Sequence, residues 1–131
     1  MTGCLFQLSG VIVDHIYKVD EVPAPGSEAI VHAATLAAGG GFNAMAAARR
    51  CGMEVIYAGM LGTGPFAEIA AAALAEEGIT VLHPRLAGRD QGCCTVLIDR
   101  KGERSFIALS GADGIMARTD LQALPHSPDA W

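Results

Sequence analysis

Gly39-Gly40-Gly41-Phe42-Asn43, running straight into Ala44-Met45-Ala46-Ala47-Ala48-Arg49-Arg50, decides the fold of this chain. Three consecutive glycines let a backbone approach a neighbour closely and adopt positive φ without steric cost. The alanine-rich run that follows favours a helix. The unpaired N–H groups of its first turn point back at the glycines. Such a junction suits an oxygen-rich ligand, either a sugar or a phosphate. It equally suits a plain turn between strand and helix. Asn43 falls in the first helical turn, where its amide can both donate and accept.

The surrounding elements alternate. Cys4 to Val13 forms a β-type apolar run ending at Asp14, with Tyr17–Asp20 loosely extended beyond it. Pro23-Ala24-Pro25-Gly26 is a turn, and Glu28 to Leu36 is a candidate strand. The helix from Asn43 to Cys51 stops at Gly52, and Glu54 to Ala58 is a short buried strand. Pro65 to Glu77 is the clearest helix: Phe66, Ile69, Ala70, Ala73 and Leu74 recur on one face. Pro65 suits its first position and Gly78 its exit. Ile79 to Leu82 is a further strand. Two successive strand–helix–strand segments imply parallel pairing through right-handed crossovers.

After residue 90 the pattern changes. Cys93–Ile98 and Arg104–Leu109 flank Asp99-Arg100-Lys101-Gly102-Glu103, which predicts a β-hairpin standing off the main sheet as a flap. Thr119-Asp120-Leu121 starts a helix, and Pro128-Asp129-Ala130-Trp131 resembles the lead-in to another buried strand.

Composition narrows the class. A chain of 131 residues can form one domain with a real core. The apolar fraction of 51% overstates that core, because 23 residues are Ala. The net charge of −5 argues against nucleic acid or an anionic membrane as partner, since both require a basic patch. Arg49-Arg50 and Arg100-Lys101 are explained by a solvated helix face and a hairpin tip. The four cysteines form no C-x-x-C pair, and the four histidines show no metal-ligand spacing. No metal site is expected, and Cys93 and Cys94 read as packing thiols. Reduced thiols, no signal peptide at Met1-Thr2-Gly3-Cys4 and no membrane-length apolar run predict a cytoplasmic location.

Two motifs compete for chemistry. Asp14, at the end of its strand, could accept two polyol hydroxyls, since ligands of open α/β sheets collect at strand carboxyl ends; an ordinary turn aspartate is the alternative. Gly62-Thr63-Gly64-Pro65-Phe66-Ala67 fits G-x-G-x-x-A before a helix, which would make the chain a nicotinamide-dependent oxidoreductase. The acidic residue required about 20 positions later is missing at Leu82-His83-Pro84-Arg85, and Pro65 removes one N–H from that turn.

Taken together these residues resemble the ribokinase-like (PfkB) carbohydrate kinases. Gly39-Gly40-Gly41-Phe42-Asn43, then Gly52 and Gly62, follow the spacing of that family's first signature. Met45 stands where a small residue is usual, and the loop is the short version. Val22-Pro23-Ala24-Pro25-Gly26, Glu76-Glu77-Gly78-Ile79, the hairpin at 99–106 and Gly111-Ala112-Asp113 are similar to further family segments. Gly62-Thr63-Gly64 departs from the usual Gly-x-Asp.

The resemblance implies an α/β fold: a Rossmann-like, ribokinase-type parallel sheet, incomplete in this chain, with a small β lid from segments about 15–38 and 91–110. It implies an ATP-dependent kinase transferring the γ-phosphate to a sugar or nucleoside hydroxyl, with Mg2+ in the complete enzyme. Asp14, Gly40, Gly41 and Asn43 would bind the acceptor, and Cys94, Val96 and Ala108 would face it from the lid. The family's Gly-Ala-Gly-Asp motif, which carries the catalytic base and anion hole, has no match, and neither do its ATP-binding loops. The chain therefore looks like an N-terminal, acceptor-binding half with no catalytic residue of its own and no turnover alone. A non-catalytic sugar-binding module, or a homodimer through exposed lid strands, stays open beside it.

Overall fold

The computed structural model describes residues 3–125. Its strands form two sheets. β1 (Cys4–Gln7), β4 (Glu54–Tyr57) and β5 (Thr80–Val81) make a parallel three-stranded sheet in the order β1-β4-β5. β2 (Val11–Lys18), β3 (Ala33–Gly40), β6 (Cys93–Ile98) and β7 (Arg104–Leu109) make a second sheet in the order β3-β2-β6-β7. Within it β2 and β6 run parallel, and the outer pairs are antiparallel hairpins. Helices α1 (Gly41–Arg50) and α2 (Pro65–Glu76) connect the parallel strands, and a short α3 (Arg118–Gln122) follows the second sheet. The expected strand lead-in at Pro128–Trp131 lies outside the described residues.

The apolar run Cys4–Val13 is not one strand. It breaks at Leu8-Ser9-Gly10 and feeds both sheets, so Asp14 sits in the middle of β2 and not at a strand end. The candidate strand Glu28–Leu36 is displaced toward the glycines, to Ala33–Gly40. Pairing with β2 over eight residues holds this alanine-rich segment extended where its own propensity would not. The hairpin at 93–109 forms as the sequence indicates. Its turn is closed by the Asp99 carboxylate, which accepts the N–H groups of Lys101 at 2.8 Å and Glu103 at 3.0 Å.

The core lies between the parallel sheet and the two helices. Met45, Val55, Tyr57, Leu61, Ala67, Ala70, Leu74 and Ile79 fill it, joined by Val11 from the root of β2. The buried stripe of α2 is Ala67, Ala70 and Leu74: Ala70 and Leu74 belong to the face the apolar spacing indicates, and Ala67 replaces Phe66 in it. Two alanines in that stripe let the helix axis lie close to the sheet, and Phe66 turns instead toward His15 on β2, 5.3 Å between rings. Arg49 is not part of a merely solvated face. Its guanidinium donates to the carbonyls of Glu77 at 3.1 Å and Met53 at 2.8 Å, while Arg50 pairs with the Glu77 carboxylate. Together they tie the ends of α1 and α2.

Where the chain leaves the core for the second sheet, β2 presents Val11 with its backbone N–H and C=O turned toward the core. Tyr57 Oη accepts that N–H at 3.1 Å and donates to Met60 O at 3.1 Å. Gln91, 2% exposed, donates from Nε2 to Val11 O at 2.7 Å and to Met60 O at 3.1 Å. Its Oε1 accepts the Gly62 N–H at 3.0 Å. Asp113 Oδ1 closes the return path, accepting the N–H groups of Gly92 at 2.6 Å and Gly111 at 3.1 Å.

Candidate functional site

The strand register decides which side chains meet. Asp14 is opposite Ala37 on β3 and Cys94 on β6, and Cys94 is opposite Ala108 on β7. Directly paired residues project to the same side of a sheet. Ala37, Asp14, Cys94 and Ala108 therefore form one row across the second sheet. The next row along is Thr35, Ile16, Val96 and Phe106. Four residues expected near an acceptor, Asp14, Cys94, Val96 and Ala108, thus share one face. His15, Cys93 and Ile107 belong to the other.

Gly39 is what lets Asp14 stand there. A Cβ at position 39 would lie 2.0 Å from Asp14 Oδ2, so the carboxylate occupies the space a side chain would need. Gly40 has φ of 64°, and a Cβ on it would meet the Gly10 carbonyl oxygen at 2.7 Å. The triple glycine thus serves a close approach and a left-handed turn at successive positions. Burial pushes the Asp14 carboxyl above its ordinary pKa. Burial, with the neighbouring Asp14 charge, likewise raises the Cys94 thiol, which stays protonated at neutral pH.

α1 starts directly after this turn, with no side-chain cap and no acidic residue in its first turn. Asn43 is exposed there, and its side chain has no hydrogen bond among the described residues. Gly40 is exposed beside it. Gly41 departs from expectation: it is buried, and its N–H is already donated to Gly10 O at 2.9 Å. Its amide holds the loop against the residue that leads into β2 and is not a free donor. The sequence reasoning missed Gly39, although the run of three glycines contained the signal. It also missed Gln91 and Asp113, for which no local pattern exists.

Comparison with known proteins gives the family and the fold. Residues 8–129 match the model of the pfkB family carbohydrate kinases. The chain belongs to that family. It is 30% identical over 122 residues to the uncharacterized sugar kinase YegV of Escherichia coli K12, covering 92% of this chain and 38% of that protein. In fold it is similar to the ribokinase of Arabidopsis thaliana complexed with ribose and ATP, with a TM-score of 0.76 at 23% identity over 94% of this chain and 42% of that one. The ribokinase of Giardia lamblia is similar too, with a TM-score of 0.80 at 18% identity over 93% of this chain and 38% of that one. The chain thus spans about two-fifths of the length of the proteins it matches.

Within this pfkB-family chain the dinucleotide look-alike at Gly62–Ala67 has a different use. The N-terminus of α2, where a pyrophosphate would sit, is filled by Asp90. Its Oδ2 accepts the Phe66 N–H at 3.2 Å and its Oδ1 the Ala67 N–H at 2.8 Å. A Cβ at Gly64 would collide with this carboxylate at 2.5 Å. Gly64, departing from the family's Gly-x-Asp, leaves room for a cap delivered from elsewhere in the chain. Among the described residues no three His, Cys, Asp or Glu converge as a metal site. No helix among them is long and apolar enough to cross a membrane.

Burial opposes ionisation of Asp90, but the N–H groups of Ala67, Gln91 and Phe66, with Arg85 nearby, outweigh it and hold the carboxyl below its ordinary pKa. Asp90→Ala should destabilise the chain by about 1 kcal/mol at pH 7, the usual cost of losing a helix cap. Because the folded pKa is depressed, that contribution is complete above about pH 4 and vanishes as pH falls through the folded value. Urea titrations of both proteins at pH 7 and at pH 3 or below check it: an equal gap at both pH values would contradict it.

Proposed function

We propose that this chain is the acceptor-binding part of an ATP-dependent kinase that phosphorylates a hydroxyl of a sugar or nucleoside. The observation that carries the proposal is the Asp14 carboxylate, set in a row of small residues over Gly39, which lies just before the uncapped start of α1. Asp14 accepts hydroxyl hydrogen bonds, and Gly40 and Asn43 line the adjoining helix end. Cys94, Val96 and Ala108 cover the acceptor from the second sheet, which acts as the lid. Lid closure excludes water from the reacting phosphate. ATP and Mg2+ bind elsewhere in the complete enzyme, together with its catalytic base, since phosphoryl transfer needs all of these in one frame.

Residues 1–131 should accordingly bind a neutral sugar without turning it over. Titrating the purified chain with ribose should shift the amide resonances of Asp14, Gly39 and Cys94, and incubation with ATP, Mg2+ and ribose should yield no sugar phosphate. Phosphate transfer by this chain, or unchanged resonances at high ribose, would contradict the assignment.

A dimer through the lid is favoured by one further observation. β7 is an edge strand, with Phe106 64%, Ile107 67% and Leu109 67% exposed. Edge strands of this kind pair readily. Sedimentation should show association of the 13.5 kDa chain, reversed by Ile107→Lys. Monomer sedimentation of the unsubstituted chain at high concentration would remove the dimer.

A further inference from the structure

The chain passes between the core and the second sheet four times, and each passage carries a glycine. Gly10 leads into β2, Gly40 ends β3, Gly92 leads into β6 and Gly111 follows β7. These passages are stacked on one another. Gly92 O accepts the Val13 N–H at 3.0 Å, and Gly10 O accepts the Gly41 N–H at 2.9 Å. A Cβ at Gly111 would strike the Gly92 nitrogen, and one at Gly40 would lie 2.7 Å from Gly10 O. The four backbones meet because no side chain holds them apart.

Asp113 stands in the middle of this stack. Its Oδ1 accepts the N–H groups of Gly92 at 2.6 Å and Gly111 at 3.1 Å. Its Cβ fills the space beside Gly10, 2.7 Å from where a Cβ there would be. One side chain thus bears on three of the four passages, and the fourth, at Gly40, rests on Gly10. Asp113 belongs to neither sheet. It sits in the 3-10 turn Ala112–Gly114, whose buried Ala112 donates its N–H to Asp90 O at 2.9 Å. Asp90 also caps α2, so the turn is anchored on the core. Beyond its roots the second sheet leans on the core through side chains, such as His15 against Phe66. Contacts of that kind slide in small steps while backbone bonds hold.

We infer that Asp113 is a positioning residue, the pin of a hinge that fixes the angle at which the sheet carrying Asp14 stands over the start of α1. Hinges are a few element-terminal residues, and the glycines gathered on Asp113 are residues of this kind. Asp113 lies outside the Asp14 row and acts through it. A turn of about 10–20° would carry Asp14 out of place relative to Gly40 and Asn43. The effect on acceptor binding rests on the acceptor-site reading above; the effect on the angle of the sheet does not.

Residual dipolar couplings of backbone amides in the 131-residue chain measure the angle between the two sheets. Asp113→Ala removes the shared acceptor of Gly92 and Gly111. It should turn the second sheet by more than about 10° while leaving the couplings within each sheet consistent with the same strands. It should also weaken ribose binding about tenfold. Asp113→Asn keeps an Oδ1 acceptor and should hold the original angle. Asp113→Glu keeps the carboxylate but moves it one methylene outward, and should turn the sheet even where the alanine variant does not fold. An unchanged angle in the Ala or Glu variant, with only a lower melting temperature, would make Asp113 merely structural and overturn the pin. An Asn variant that turns as far as the alanine one overturns it too. If the unsubstituted chain does not respond to ribose, the acceptor site falls, and a sheet that turns in the Ala and Glu variants still upholds the pin.

Discussion

Gln91→Leu should lower the unfolding free energy of this chain by about 3 kcal/mol, because two buried backbone groups lose their partners at about 1–3 kcal/mol each. The groups are Val11 O and the Gly62 N–H, which Gln91 satisfies at 2.7 and 3.0 Å. Met60 O suffers less, since it keeps the Tyr57 hydroxyl. Leucine has nearly the shape of glutamine, so no cavity adds to the loss and the change isolates the hydrogen bonds. Against a total stability of roughly 5–15 kcal/mol, such a loss is large. Equilibrium urea unfolding measures it directly. A change below about 1 kcal/mol would show that water replaces the amide and that the junction between the two sheets does not depend on it.

Asp14→Asn should reduce ribose affinity by about 10- to 100-fold, the range for removing a charged hydrogen-bond acceptor. Its effect on stability should have the opposite sign. Burial raises the Asp14 pKa, so the folded chain resists the ionised form. A group raised in the folded state contributes its stability below the unfolded pKa, near pH 4, and loses it as pH rises through the folded value. At pH 7 the unsubstituted chain therefore carries an ionised carboxylate that asparagine removes. The variant should melt at the same temperature or higher at pH 7, and that advantage should shrink toward pH 3. A variant that loses binding and stability together at pH 7 would make Asp14 a structural residue. Unchanged affinity would remove it from the site.

Elements whose instructions are local could be read directly from residues. The hairpin at 93–109 has alternation on both arms and a polar turn between them, and α2 carries Pro65 at its start and Gly78 beyond its end. The meeting of Asp14 with the triple glycine was legible as a pair of motifs, though not its geometry. The division of Cys4–Val13 between two sheets was not legible, because Leu8-Ser9-Gly10 interrupts the apolar run weakly and sheet membership depends on partners dozens of residues away. β3 was misplaced for a similar reason: Ala33–Ala38 contains almost nothing that prefers a strand, and only pairing with β2 makes it one. Gly41 looked like a free donor because nothing in its neighbourhood shows that Gly10 O takes its N–H. The cap on α2 left no trace at all, since Asp90 lies 23 and 24 residues beyond the amides it accepts.

That cap has a consequence for how the chain acquires its structure. α2 cannot complete its own first turn: the carboxylate it lacks arrives only when the segment before β6 has closed against it. The very next residue, Gln91, seals the passage into the second sheet. Helix start and sheet junction are thus joined by one peptide bond, and neither can be whole while the other is open. Hydrogen exchange would read them as a single cooperative unit, one that binds the early α/β unit to the sheet carrying Asp14.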